Sequence, residues 1–118
     1  MEDCIIYHNP TCSKSRATIA LLQERNEGYE VVEYLKNPPS PEQLDRICRE
    51  LDMEPTAIVR FKESRCAELG ISKRDDRKRE EWIEILCENP ILIERPILTR
   101  HGKAVIARPP ENILSLFS

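Results

Sequence analysis

The chain has no Cys-x-x-Cys pair, although it carries five cysteines, Cys4, Cys12, Cys48, Cys66 and Cys87. A disulfide framework in a secreted protein usually shows an even count, and a zinc site needs clustered Cys or His ligands. Its two histidines, His8 and His101, are not paired with cysteines at such a spacing. Reduced thiols and no bound metal are expected. Positive charge is not in excess either: the net charge is −3, so the long-range field of a nucleic-acid binder is missing. No apolar stretch approaches the ~20 residues that cross a bilayer. The opening Met1-Glu2-Asp3 is acidic, and the apolar run Cys4–Tyr7 behind it is too short for a secretory signal. The expectation is a cytoplasmic monomer with neither nucleic acid nor membrane as a partner. Internal repeats and low-complexity tracts are also absent.

What is present suits one domain over residues 1–118, with 40% hydrophobic and 33% charged residues. Cys4-Ile5-Ile6-Tyr7 reads as a strand stopped by the turn signal His8-Asn9-Pro10. Ala17, Ile19, Ala20, Leu21 and Leu22 then recur on helical spacing until Asn26-Glu27-Gly28. Val31–Leu35 is β-branched and aromatic, hence a second strand. Ser40 suits an N-cap, Pro41 the first helical position and Gln43 the reciprocal capping-box position. Leu44, Ile47, Cys48 and Leu51 follow on one helical face. Further helices are expected around Pro55–Leu69 and Arg79–Glu88. The mixed-charge stretch Ser72–Glu81 reads as a solvated helix entry. Pro96–Thr99 and Lys103–Ala107 flank Arg100-His101-Gly102, a hairpin pattern, and a final helix follows Pro109-Pro110. The order βαβ, helices, ββα predicts an α/β, thioredoxin-like fold with a helical insertion at about residues 38–90, the first two strands parallel and the hairpin antiparallel.

The chemistry concentrates at His8-Asn9-Pro10-Thr11-Cys12-Ser13-Lys14-Ser15-Arg16. A cysteine between a strand and a helix meets the unpaired N–H groups and positive dipole end of that helix, which favour the thiolate. Lys14 and Arg16 add positive charge, His8 adds more if protonated, and the Ser15 hydroxyl can bond the sulfur. Cys12 is therefore the candidate nucleophile. Cys4, Cys48 and Cys87 sit in apolar patterns and read as packing residues. Cys66 also reads as packing, with a resolving thiol as the alternative.

An anion facing Cys12 needs cationic donors. Low-molecular-weight phosphatases supply an Arg six positions after the cysteine, but Thr18 stands there. Arg60, Arg95 and Arg108 instead lie beside apolar residues or prolines, outside charge runs. Guanidinium groups match tetrahedral oxyanions with planar, bidentate donors. For each of these arginines a surface ion pair is the competing role.

Tyr7-His8-Asn9-Pro10-x-Cys12-x-x-Ser15-Arg16 resembles the opening of the ArsC-type, glutaredoxin-dependent arsenate reductases. The likeness continues through Tyr34–Pro39, Glu68-Leu69-Gly70, Asn89–Ile97 and Arg108-Pro109, covering nearly the whole chain in the family's order. Ser13-Lys14, where the best-known members carry Gly-Thr, and the lack of their C-terminal tail after Ser118 place it nearer the YfgD-type branch. The resemblance implies arsenate reduction with Cys12 as nucleophile, Arg60, Arg95 and Arg108 binding the oxyanion, and His8 and Ser15 tuning the nucleophile. It also implies glutathione as co-substrate, glutaredoxin as partner, no bound cofactor, and a cis-proline at Pro96. Two other roles compete. A thiol-transfer enzyme would keep Cys12 without needing the arginines. A non-enzymatic Spx-like regulator would carry a second cysteine where Ser15 stands.

Overall fold

A computed structural model describes residues 4–117, which divide into two compact units, one of residues up to 37 and from 95 onward, the other of residues 38–94. In the first unit, strand β1 (Cys4–His8) leads into helix α1 (Ser13–Glu24) and strand β2 (Glu30–Glu33). After residue 94 the chain returns as β3 (Ile97–Arg100) and β4 (Lys103–Ile106). The sheet order is β2-β1-β3-β4. Strand β1 is parallel to β2 and antiparallel to β3, and β3 is antiparallel to β4. This mixed sheet is the expected thioredoxin-like arrangement.

Burial alternates along β1, with Cys4, Ile6 and His8 on the buried face, as the two-residue period of a strand requires. Cys4, Ile6, Leu98 and Ala107 meet Leu22 of α1 and Ile113 in one apolar cluster. His8 continues that face to the C-terminal end of β1, where α1 begins. The hairpin turns through His101 and Gly102, with φ of 52° and 77°. A two-residue turn matched to strand twist needs positive φ at both positions, and glycine adopts it without steric cost.

The second unit holds α2 (Pro41–Leu51), α3 (Ser64–Leu69) and α4 (Arg79–Glu88). The capping box at α2 forms as expected: the Gln43 N–H donates to Ser40 Oγ at 3.2 Å, and the Ser40 N–H donates to Gln43 Oε1 at 2.9 Å. Leu44, Ile47, Cys48 and Leu51 are buried. Phe61 meets Trp82 edge-on, with ring centroids 5.8 Å apart.

Four expectations change. Strand β2 stops at Glu33, because the Glu33 carbonyl accepts from the N–H groups of Lys36 and Asn37 and turns the chain. The segment Pro55–Leu69 is not one helix. A 3-10 turn over Pro55–Ile58 gives way to extended Val59, which bridges Ile93, before α3 begins. The β-branched Val59 favours that pairing over helix. The final segment Pro110–Leu116 is 3-10, not α; side-chain bonds from Asn112 and Ser115 to nearby carbonyls compete with the regular ladder. Ser72–Glu81 is more than a solvated entry. Asp75 caps the Ser72 N–H and pairs with Arg77, Arg77 lies over Trp82, and Arg79 bridges Asp45 and Glu54 at 2.9 and 2.7 Å. Among the described residues, no helix is long and apolar enough to cross a membrane.

The box at α2 makes a direct test of this helix. Ser40→Ala is expected to destabilise the protein by about 1 kcal/mol, and Ser40→Gly by a few tenths. Urea unfolding followed by circular dichroism reads both from the midpoint; equal midpoints for Ser40→Ala and the parent would exclude the capping role.

Candidate active site at the strand-to-helix turn

The turn between β1 and α1 is held by its own short side chains. Asn9 Oδ1 accepts from the Thr11 N–H at 3.0 Å and from the Thr11 hydroxyl at 2.8 Å, and the Cys12 N–H donates to the Asn9 carbonyl at 3.0 Å. Arg16 reaches back to the Pro10 carbonyl at 3.0 Å. The chain therefore enters α1 in one conformation, with Cys12 as the N-cap residue in extended geometry. Its sulfur occupies the place an N-cap oxygen usually takes, before the N–H groups of the second and third helical residues, Lys14 and Ser15.

Those donors decide the state of the thiol. Cys12 is only 8% exposed, and burial by itself pushes a thiol up. Against it act the Ser15 N–H, the Lys14 N–H, the Ser15 hydroxyl and the positive charge of Arg95, which together bring Cys12 down to about 7. Ser15 is fully buried, and its Oγ accepts from the Asn9 N–H at 3.3 Å. That bond uses the oxygen as acceptor and leaves its hydrogen for the sulfur. Arg108 completes the surroundings, with Nη1 3.8 Å from Cys12 Sγ and 3.2 Å from the Arg95 carbonyl. The Arg95–Pro96 bond is cis, as expected; a second cis bond at Arg108–Pro109 was not anticipated.

The other candidates fall differently. His8 is buried at the end of β1, with Nδ1 lacking any hydrogen-bond partner. Burial lowers its pKa, Glu33 raises it and Arg16 lowers it again, and the net result lies below the ordinary imidazole value. The added positive charge that a protonated His8 would bring is thus disfavoured near neutral pH. Arg60 belongs to the second unit, where it pairs with Glu63 at 3.1 Å and donates to the Ile91 carbonyl.

All five cysteines are free of disulfides. Burial drives Cys48 and Cys87 up to about 11, although Cys87 is only half-buried where a core position was expected. Cys66 is buried, its thiol donates to the Arg60 carbonyl at 3.6 Å, and burial followed by Glu63 raises its pKa. Cys12 alone among the thiols with a resolved shift is lowered. No group of three His, Cys, Asp or Glu able to hold a metal occurs among the described residues.

Two neighbours of the site were missed in the sequence. Asn9 carries the Asx-turn pattern of an Asn two residues before the group it caps, so it was readable. Glu33 was not, because it reaches His8 through the parallel register of β1 and β2, which pairs these two positions.

Iodoacetamide alkylation of the parent against pH should show Cys12 reacting with a midpoint near 7, ahead of every other cysteine on peptide mapping. Ser15→Ala should move that midpoint upward by roughly half to one pH unit, the equivalent of a ~1 kcal/mol hydrogen bond. Faster labelling of Cys66 than of Cys12 at neutral pH would remove Cys12 from the site.

The model of the ArsC family matches residues 7–116. An arsenate reductase of Neisseria meningitidis is 39% identical over 114 residues, covering 96% of this chain and 97% of the relative. The uncharacterised protein YfgD of Escherichia coli K12 is 41% identical over 112 residues, covering 94% and 93%. Among solved structures, an arsenate reductase from Vibrio cholerae superposes with a TM-score of 0.86 at 40% identity, covering 96% of each chain. Matched in sequence and in structure along nearly its whole length, from the first strand to the last helical turn, this chain belongs to the ArsC family.

Proposed function

We propose that the protein is a thiol-dependent arsenate reductase with Cys12 as its nucleophile. The observation that carries the reading is a buried thiol brought to about 7 at the head of α1, with an arginine donor 3.8 Å from its sulfur. Relatives named arsenate reductase, alike over nearly their full length, support arsenate as the oxyanion.

The Cys12 thiolate attacks arsenic and forms an S–As bond while one arsenate oxygen departs as water with a proton from the medium. Arsenic is still pentavalent. Arg95, whose charge acts on Cys12, and Arg108 beside its sulfur neutralise the negative charge that builds on the arsenate oxygens. Glutathione then attacks the Cys12 sulfur. An S–S bond forms, the S–As bond breaks, and its electron pair stays on arsenic, which leaves as trivalent arsenite. Two thiols have been oxidised to one mixed disulfide. Glutaredoxin attacks the glutathione sulfur and frees the Cys12 thiolate. Ser15 keeps that thiolate available at each return, and neutral His8 shapes the wall beneath it.

The resolving thiol comes from outside. Cys48 and Cys87 are pushed up to about 11 and Cys66 is raised, so none of these is ionised near neutral pH. Cys4 opens β1, at the opposite end of that strand from the turn, within the apolar cluster.

Steady-state arsenite formation from arsenate with glutathione and glutaredoxin tests the reading, with turnover of a glutathione mixed disulfide run beside it. The parent should turn over arsenate, and Cys12→Ser should not. Arg108→Lys should lose on the order of a hundredfold in kcat/KM, the usual consequence of removing an oxyanion donor. A protein with Cys4, Cys48, Cys66 and Cys87 all replaced by Ala or Ser should keep near-parental turnover. Turnover of the mixed disulfide with none of arsenate would instead identify a thiol-transfer enzyme.

A further inference from the structure

Arg108 stands in a connection with few donors of its own. It follows β4 and precedes Pro109 and Pro110, neither of which has an N–H. One side chain ties the backbone there twice. Asn112 Nδ2 donates to the Ile106 carbonyl at 3.2 Å and to the Arg108 carbonyl at 3.1 Å, bracketing Ala107 and holding the carbonyl of the residue that carries the guanidinium. Both acceptors are carbonyl oxygens, so the amide nitrogen must face them. The Asn112 N–H adds a bond to the Pro109 carbonyl at 3.0 Å, and the Ala107 N–H one to the Pro96 carbonyl at 2.9 Å. The latter joins the Arg108 connection to the start of β3, next to Arg95.

We propose that Asn112 is a positioning residue for the oxyanion site: its amide clamps the Ile106 and Arg108 carbonyls together and so holds the guanidinium against Cys12. This rests on the reading of Arg108 as an anion-binding group. Asn112 itself is exposed and lies outside the apolar cluster. Its amide therefore contributes little to the core, and its work is local. Without the clamp, Arg108 would retain its charge but sample many positions, weakening its grip on an anion. Two exposed hydrogen bonds bound the size of the effect to between about three- and tenfold.

The test needs no arsenate. Alkylation of Cys12 by iodoacetate, an anion, is compared with alkylation by neutral iodoacetamide at one pH. A positioned Arg108 speeds the first relative to the second, so Arg108→Ala should lower the ratio. Asn112→Ala should lower it by three- to tenfold, and the isosteric Asn112→Asp, which lacks the donor, by at least as much. Both should keep the parental thermal unfolding midpoint within a few degrees. Adding Asn112→Ala to Arg108→Ala should change nothing further. An unchanged ratio in both Asn112 variants would overturn the proposal. So would an equal further fall in the Arg108→Ala background, or no effect of Arg108→Ala itself. Loss of arsenate turnover in the parent with these ratios intact would fault the substrate and leave the clamp standing.

Discussion

The first turn of a helix leaves its N–H groups without partners, and at α1 the Cys12 sulfur stands in front of two of them. The site grows outward from that requirement. Asn9, Thr11 and the Pro10 carbonyl hold the turn so that the cysteine arrives as N-cap. Strand β1 sets where the turn begins, and the apolar cluster beneath α1 fixes the helix over the sheet. A sulfur placed so needs negative charge to use those donors well, and the protein supplies the conditions for it.

Burial raises each thiol whose shift is resolved, and the groups around it decide whether that rise is offset. Burial, with nearby carboxylates adding to it, sends Cys48 and Cys87 to about 11. Cys12 is buried too, yet two backbone donors, one hydroxyl and an arginine carry it to about 7. Hydrogen bonds to a charged group are stronger than neutral ones, and here they act together with a full positive charge. The same accounting explains His8. The Glu33 carboxylate does not offset burial and Arg16, so the imidazole settles on the neutral side.

Much of the architecture was readable where the signals were local. The capping box of Ser40 and Gln43, the His101-Gly102 turn and the two-residue alternation of β1 each depend on residues within a few positions of one another. The misread segments are those where a distant partner or a competing side chain intervenes. Val59 leaves the helix to bridge Ile93, and Asn112 and Ser115 draw the last segment into 3-10 geometry. In Ser72–Glu81 the charges were plain, but their partners Asp45 and Glu54 lie far back along the chain.

The candidate nucleophile follows from the sequence by itself, because a cysteine at a strand-to-helix turn with a serine one turn on carries its donors with it. The succession of elements along the chain and the absence of a Cys-x-x-Cys pair are equally local properties. Which arginine reaches the sulfur is a different kind of fact. Arg108 is 96 positions from Cys12, and composition cannot distinguish it from an arginine in a surface ion pair. Only the placement of β3 beside β1 and of β4 beside β3 brings that connection to the head of α1. The burial of His8 and its facing Glu33 depend on the same sheet. Distance and desolvation set those interactions, and both exist only once the chain is folded.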